Sequence, residues 1–442
     1  MYGIFKGYNG QTSVIEILYK WNRWGSNLLK SGVLRAKTAE ILPYVHTQEI
    51  LVLIGPRRSG KSTILYQIMD ALEKEGVAQQ AMLHLNFEEP QLIPFLNLKG
   101  LDEMYDSYRE NIFPEGRVFL FLDEVHNIPE WERWVRARSE TEDVKIFITG
   151  SSAKLMSREI ATLLTGRHLS FEITPLNFAE YLEFRQIKAP KHRLPMRAPA
   201  IVKQALNDYE QWGGFPAVTL AGDFEHKRHI LAEYFSDILY KDIVLRYSIR
   251  DPVLLRNLAA HLLTQTGNLI SFQRISAVFQ VSIDAAASYF QYLQEAFMIE
   301  AVPFFSLKAS IRQRHPRKVY AMDLGLRNAV SLAHSADEGH LTESLVYHSL
   351  RRRFGDNIFY WSQEGEIDFI VREGNAITQI WQVVVGNLED SKVFDRELRA
   401  IEEAKIMFPK AEAFIVVKTI VKNISTLPCK IVPLWVLLLE EP

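Results

Sequence analysis

A single cysteine, Cys429, stands in 442 residues. One thiol excludes an intramolecular disulfide and a cysteine-built zinc site, and it fits a reducing, cytoplasmic setting. Long apolar runs are also missing. None approaches the ~18–20 residues that a membrane-spanning helix needs, so no membrane partner is expected. The first residues have no signal-peptide layout, since Lys6 follows a few mixed residues and no apolar stretch appears. Charge of one sign is not in excess either. A formal net charge of −2 gives no global field to recruit nucleic acid, so such binding would have to come from local patches. There is no internal repeat and no low-complexity tract. What remains is ordinary for globular protein, 48% hydrophobic and 24% charged residues, and the length predicts two to four domains.

The strongest positive signal is Gly55-Pro56-Arg57-Arg58-Ser59-Gly60-Lys61-Ser62, a full match to the phosphate-loop pattern G-x-x-x-x-G-K-[ST]. Ile50-Leu51-Val52-Leu53-Ile54 before it reads as a short buried strand. Thr63 to Met69 after it has helical spacing. The loop therefore sits between a strand and a helix, the context that gives the motif its meaning. Gly55 and Gly60 let backbone N–H groups turn inward around phosphate oxygens, and the helix N-terminus adds partial positive charge. ATP is the expected ligand of the run from Gly55 to Thr63. Lys61 would reach the β- and γ-phosphates, and Ser62 would hold Mg²⁺.

A second apolar strand, Arg117 to Leu122, ends in Asp123-Glu124 and reads as a Walker B element. Asp123 would bind Mg²⁺, directly or through water, and Glu124 would polarise the attacking water. A strand from Val144 to Thr149 leads into Gly150-Ser151-Ser152. Thr149 and Ser151 are both candidates for a polar residue bridging the attacking water and the γ-phosphate, and the sequence does not choose between them. A further strand, Ala81 to Phe87, lies between the two Walker elements. Strands alternating with helices predict a parallel α/β sheet covered on both faces.

These motifs resemble prokaryotic AAA+-type ATPases of the lineage that includes archaeal ATPases and signalling NTPases. The resemblance rests on residues 55–62, on Leu-Asp-Glu-Val-His at 122–126 with Trp131 following, and on Thr-Gly-Ser-Ser at 149–152. It continues through Leu-Thr-Gly-Arg at 164–167, Thr-Pro-Leu-Asn-Phe at 174–178 and Trp-Gly-Gly-Phe-Pro at 212–216. It implies that Arg167 answers to the γ-phosphate, in cis or from a neighbour. It also implies that Gly213 to Pro216 form the turn of a helical lid, with Pro216 near the adenine.

Residues 186–200 are rich in Pro, Lys and Arg and read as a connector to the lid. From about Asp251 to Glu300 the pattern is helix, turn, helix, then strand, a winged-helix layout. Its would-be recognition helix, Ser282 to Phe297, contains no Lys or Arg. Basic residues follow instead, at Lys308, Arg312, Arg314, Arg317 and Lys318. As a wing, that segment would track a phosphate backbone weakly and without sequence preference.

The C-terminal third resembles the uncharacterised, restriction-endonuclease-like domain that often follows these ATPases. Glu343 matches the helix acid of that fold and Asp368 the hairpin Asp. Gln382 stands where a Glu is expected and Val384 where a Lys is expected, so no metal-dependent cleavage is expected from about Ser306 to Pro442. Lys392 is left open as a replacement lysine. The expected architecture is α/β: a P-loop, AAA+-like core at 1–185, a connector and helical lid at 186–247, a winged-helix-like unit at 248–305, and a degenerate endonuclease-like domain at 306–442. The expected function is a Mg²⁺-dependent ATPase whose nucleotide state controls the C-terminal domains. The alternatives are an ATP-regulated nucleic-acid-binding or processing protein, contacting nucleic acid through Arg312, Arg314 and Arg317, and a signalling scaffold that gates a protein partner.

Overall fold

Five parallel strands form the N-terminal sheet in the computed structural model. The structure describes residues 13–25, 30–153, 166–190, 198–331, 338–385, 391–418 and 429–440, the side chains of 391–394 excepted. It divides into two compact units, Met1–Thr174 and Pro175–Pro442.

In the first unit, α1 (Val14–Trp21) and α2 (Ala36–Ile41) precede β1 (Ile50–Ile54). Then come α3 (Lys61–Lys74), β2 (Met82–Asn86), α4 (Leu98–Asn111), β3 (Val118–Asp123), α5 (Trp131–Thr141), β4 (Val144–Gly150) and β5 (His168–Glu172). The strand order is β2-β3-β4-β1-β5. Every residue of β1 and β3 is buried, which explains their unbroken apolar runs: both faces are covered. Phe121 and Phe147 stack across β3 and β4 at 4.4 Å. The exposed ladder of β2 is closed by side chains. The Asn22 amide accepts from the His84 N–H at 2.7 Å and donates to the His84 carbonyl at 3.0 Å, and Trp24 Nε1 donates to the Met82 carbonyl. These bonds stop the edge from pairing elsewhere.

The second unit opens with α6 (Phe178–Phe184), α7 (Ala200–Trp212) and α8 (Pro216–Leu220). Next is α9 (Phe224–Asp237), which runs on through a π-helical stretch, Ile238–Val244. Then follow α10 (Pro252–Thr264), β6 (Leu269–Ile270), α11 (Phe272–Phe279), α12 (Ile283–Glu295), β7 (Ile299–Val302), α13 (Ala309–Arg314) and β8 (Arg317–Ala321). These last three strands form an antiparallel sheet in the order β6-β8-β7. After α14 (Leu324–Val330) and α15 (Glu338–Phe354) comes a mixed sheet of β9 (Ile358–Ser362), β10 (Glu366–Glu373), β11 (Ala376–Val384), β12 (Glu412–Val417) and β13 (Lys430–Pro433). Strands β9 to β11 are antiparallel and β11 to β13 are parallel. Helix α16 (Ser391–Met407) packs on β10 and β11, and α17 (Leu434–Leu439) packs on α15. No helix among the described residues is long and apolar enough to cross a membrane.

Three expected boundaries shift. The first compact unit ends at Thr174, short of residue 185, because Phe178, Tyr181 and Leu182 of α6 are buried with α7, α15 and α17. The division at 305 fails because β8, twelve residues beyond it, completes the sheet begun by β6 and β7. The lid region is not separate either. Gly214 N–H donates to Asp323 at 2.7 Å, and a Cβ at Gly213, where φ is 72°, would lie 2.1 Å from the same carboxylate. The Trp-Gly-Gly-Phe-Pro motif is thus locked to the N-cap of α14, and that approach requires Gly213, while a Cβ at Gly214 would lie 2.3 Å from the Leu176 carbonyl oxygen. Residues 191–197 of the connector lie outside the described residues.

Candidate functional site

The C-terminal ends of β1, β4 and β3 lie side by side. Ile54 pairs with Gly150, and Leu122 pairs with Ile148. One edge of the sheet therefore carries the phosphate loop, Thr149 with Ser151, and Asp123 with Glu124. That is where ligands bind in an open parallel sheet. The loop leaves β1 at Gly55, whose φ is 155° and whose missing Cβ would lie 2.1 Å from the Ile173 carbonyl. It enters α3 through Gly60, at φ 99°. Neither position suits an L side chain.

Within the loop, Lys61 is buried. Its ammonium donates to the carbonyls of Gly55 and Pro56 at 3.2 and 3.1 Å and lies 3.3 Å from Glu124 Oε1. Arg57 is buried and pairs with Glu88, whereas Arg58 is exposed in the left-handed region. Ser59 is fully buried and its hydroxyl has no protein partner. Pro56 and Gly55 are buried, and Ser62 and Thr63 are half-buried at the start of α3.

Asp123 is buried at the end of β3. Burial pushes its carboxyl up, but the nearby His84 ring and hydrogen bonds from Thr149 and Ser62 outweigh this and hold it below the usual carboxylate range. Thr149 does more than end a strand. Its hydroxyl donates to Asp123 Oδ1 and accepts the Glu124 N–H at 2.8 Å, so it clamps both acids. Glu124 itself has φ 56°, a left-handed backbone that turns its carboxylate back toward Lys61. Burial pushes Glu124 up, Lys61 opposes, and Asp123 adds to the rise. His126 Nδ1 lies 3.3 Å from Glu124 Oε2.

Three further residues support this site without a role read from the sequence. Arg35 is buried and donates to the Ser59 carbonyl at 2.7 Å and the Thr174 carbonyl at 2.9 Å, bracing the loop from behind. His84 Nε2 lies 3.6 Å from Asp123 Oδ2. His126 is the third. His84 leaves a trace in the sequence as a lone polar residue inside an apolar strand, and His126 closes the Leu-Asp-Glu-Val-His run, whereas Arg35 leaves none.

One expected residue, Arg167, is not brought to this edge. Arg167 precedes β5, and His168 pairs with Ile50, the first residue of β1. Arg167 is therefore at the opposite end of the strands, about 16 Å of strand rise from the loop. It is largely exposed and 3.9 Å from Glu140. Action on the γ-phosphate in cis is excluded. Leu164 and Thr165 lie outside the described residues. Pro216 is the first residue of α8, in the second compact unit, beside the fully buried Phe215.

In that second unit Glu343 and Asp368 do converge, on α15 and β10, but with an unexpected partner: the ammonium of Lys318, from β8. Expected as part of a basic wing, Lys318 is instead buried, because β8 is an inner strand. Gln382 is a cross-link. Its carbonyl accepts the Asp368 N–H at 3.2 Å and its amide donates to Glu397 at 2.7 Å. Val384 is buried in the apolar layer with Ile370 and Ile401. The side chain of Lys392 lies outside the described residues.

Comparison with known proteins agrees with the first unit. Residues 47–182 match the model of an AAA domain, and residues 203–337 match a domain of unknown function, DUF8612. The uncharacterized protein MJ1544 of Methanocaldococcus jannaschii is 34% identical over 365 residues, 80% of this chain and 78% of the relative. The chain belongs to the same family. Residues 47–182 are accordingly an AAA domain, the nucleotide-binding module of AAA+-type proteins. A Haemophilus influenzae relative, also uncharacterized, is 28% identical over 348 residues, 77% of this chain and 84% of the relative. Among solved structures, the Aeropyrum pernix ORC1 protein in complex with DNA is similar with a TM-score of 0.31 and 13% identity, over 68% of this chain and 93% of that one.

Proposed function

We propose that the chain binds ATP with Mg²⁺ and hydrolyses it, and that the nucleotide state controls the C-terminal unit. The observation that carries this reading is the convergence of Lys61, Ser62, Asp123 and Glu124 at one sheet edge, with Lys61 3.3 Å from Glu124. The site fits the ligand. The first N–H groups of α3 have no intrahelical acceptor, Ser59 carries an orphaned buried hydroxyl, and the glycine cradle admits no side chain. When bound, ATP supplies the phosphoanhydride bond and Mg²⁺ neutralises its oxygens. Lys61 orients the β- and γ-phosphates, and Ser62 with Asp123 supplies the oxygens for the metal. Glu124, raised by burial, accepts a proton from the attacking water. Thr149 holds the two acids in place, which leaves Ser151 for the sensor role. Replacing Glu124 with Gln tests this: ATP binding should persist while hydrolysis slows by ~10²-fold or more. Unchanged hydrolysis would refute the assignment.

A second reading, nucleic-acid binding, is favoured by one feature. The connection from β7 to β8 carries Arg312 and the exposed Arg314 on α13, and Arg317 lies over the Phe272 ring at 5.8 Å. Read as the wing of a winged helix, this segment would hold DNA weakly. Neutralising the three arginines should flatten the salt dependence of DNA binding, by ~0.9 in log–log slope for each phosphate no longer neutralised. An unaltered slope would remove this reading in favour of a protein partner.

A further inference from the structure

Lys318 is read from sequence as one cation of a basic surface segment, yet its side chain is 3% exposed. Its ammonium lies 2.9 Å from Glu343 Oε1, 3.0 Å from Asp368 Oδ1 and 2.7 Å from Glu366 Oε1. An ammonium has three N–H donors, and here each meets a different carboxylate. Two further bonds hold these acids. Asp368 Oδ2 accepts the Val383 N–H at 2.9 Å, and Glu343 Oε1 takes a second bond from the Tyr320 hydroxyl at 2.6 Å. Together the acids face a cavity of about 540 Å³ that also holds Gln382, Arg396 and Glu397.

Hard oxygen ligands converging from a helix and a neighbouring strand are what a divalent cation takes. In this chain the convergence point already carries positive charge. Among the described residues, no group of three His, Cys, Asp or Glu side chains is arranged to hold a metal. We propose that Lys318 is a built-in cation standing where a divalent ion would bind, so that Glu343, Glu366 and Asp368 form a metal site only when that ammonium is removed. An ion entering beside Lys318 would place two further positive charges against a cation already in contact with all three carboxylates. The ammonium is tethered to an inner strand and cannot diffuse away. The same contacts pin the β6-β8-β7 sheet to α15 and β10, so the basic β7–β8 connection and the mixed sheet move together.

The test uses the full chain without nucleotide and counts bound Mn²⁺ by electron paramagnetic resonance. Lys318→Ala should bind one more Mn²⁺ per chain than the wild type. Mn²⁺ should also raise its unfolding temperature beyond any shift seen in the wild type. Adding Asp368→Asn to Lys318→Ala should abolish the extra ion. A folded Lys318→Ala chain with no extra ion overturns the proposal. If Lys318→Ala fails to fold with and without Mn²⁺, wild type against Asp368→Asn decides. Equal Mn²⁺ stoichiometry supports the built-in cation, and an ion that disappears with Asp368 overturns it.

Discussion

Lys61 and Lys318 are both buried beside carboxylates, and what each is attached to separates them. Lys61 opens a helix behind a glycine turn. Two of its contacts are neutral carbonyls, and its one carboxylate, Glu124, is 3.3 Å away. Lys318 lies inside a sheet strand and meets three carboxylates at 2.7–3.0 Å. Around Lys61 the loop N–H groups and the helix dipole add positive potential, so an incoming anion is favoured. Around Lys318 the fixed neighbours are anions, so the lysine itself satisfies the site. Backbone context, more than the identity of the charged residues, decides whether such a cluster binds a ligand or closes on itself.

The largest effect expected from breaking the first cluster without touching its charges comes from Thr149→Val. The isostere leaves Asp123 and the Glu124 N–H without their shared partner. ATP hydrolysis should fall ~10- to 10²-fold, with the loss in kcat, as expected when reacting groups shift by a fraction of an ångström. Unchanged kcat would mean that the clamp does not position the acids. The matching break in the second cluster is Tyr320→Phe. It removes one hydrogen bond to the buried Glu343 and should lower unfolding stability by ~1.5–3 kcal/mol in urea titration. ATP hydrolysis should be untouched, and a parallel loss of hydrolysis would show the two clusters to be coupled.

A smaller, pH-dependent effect sharpens the contrast from α15. His348, just over one turn beyond Glu343, is largely buried, with its side chain 12% exposed, and its Nε2 lies 2.8 Å from the Ala321 carbonyl oxygen, to which it donates. Burial, with Arg352 and Arg351 nearby, pushes it down to about 3, although Glu300 lies 3.9 Å from Nδ1. A depressed folded value means the neutral ring favours the fold above the ordinary histidine range. That contribution is lost as pH falls from ~6.5 toward 3, by up to ~1.4 kcal/mol per unit. Asp323, pushed up to about 6 by burial, acts in the opposite sense, its contribution being lost as pH rises through that value. The difference between wild type and His348→Gln isolates the histidine: the variant should be less sensitive to acid between pH 6.5 and 5. Identical pH profiles would contradict the buried neutral ring.

What is legible in the sequence is what is local. The phosphate loop, the two Walker strands and the strand behind Thr149 are each set by a few consecutive residues, and the parallel sheet follows from their alternation. The double role of Thr149 requires the register of β3 against β4, which no spacing reveals. Lys318 reads as a surface cation because its partners lie 25 and 50 residues away and meet only when β8 joins β7. Gln382 and Val384 are visible as departures from a metal-binding pattern. That Gln382 serves as a cross-link to Asp368 and Glu397 depends on α16, further along the chain. Resemblance assigns Arg167 to the γ-phosphate in cis or from a neighbour, and the pairing of His168 with Ile50 puts it at the far end of its own sheet, which bears on the cis alternative alone.

The central claim is that the loop around Lys61 is an ATP site, and calorimetric titration of ATP with Mg²⁺ into the full chain tests it most directly, wild type beside Lys61→Ala. The prediction is saturable binding at one site per chain in the wild type and none in Lys61→Ala, with both proteins folded by circular dichroism. Equal affinity in the two proteins would contradict the assignment.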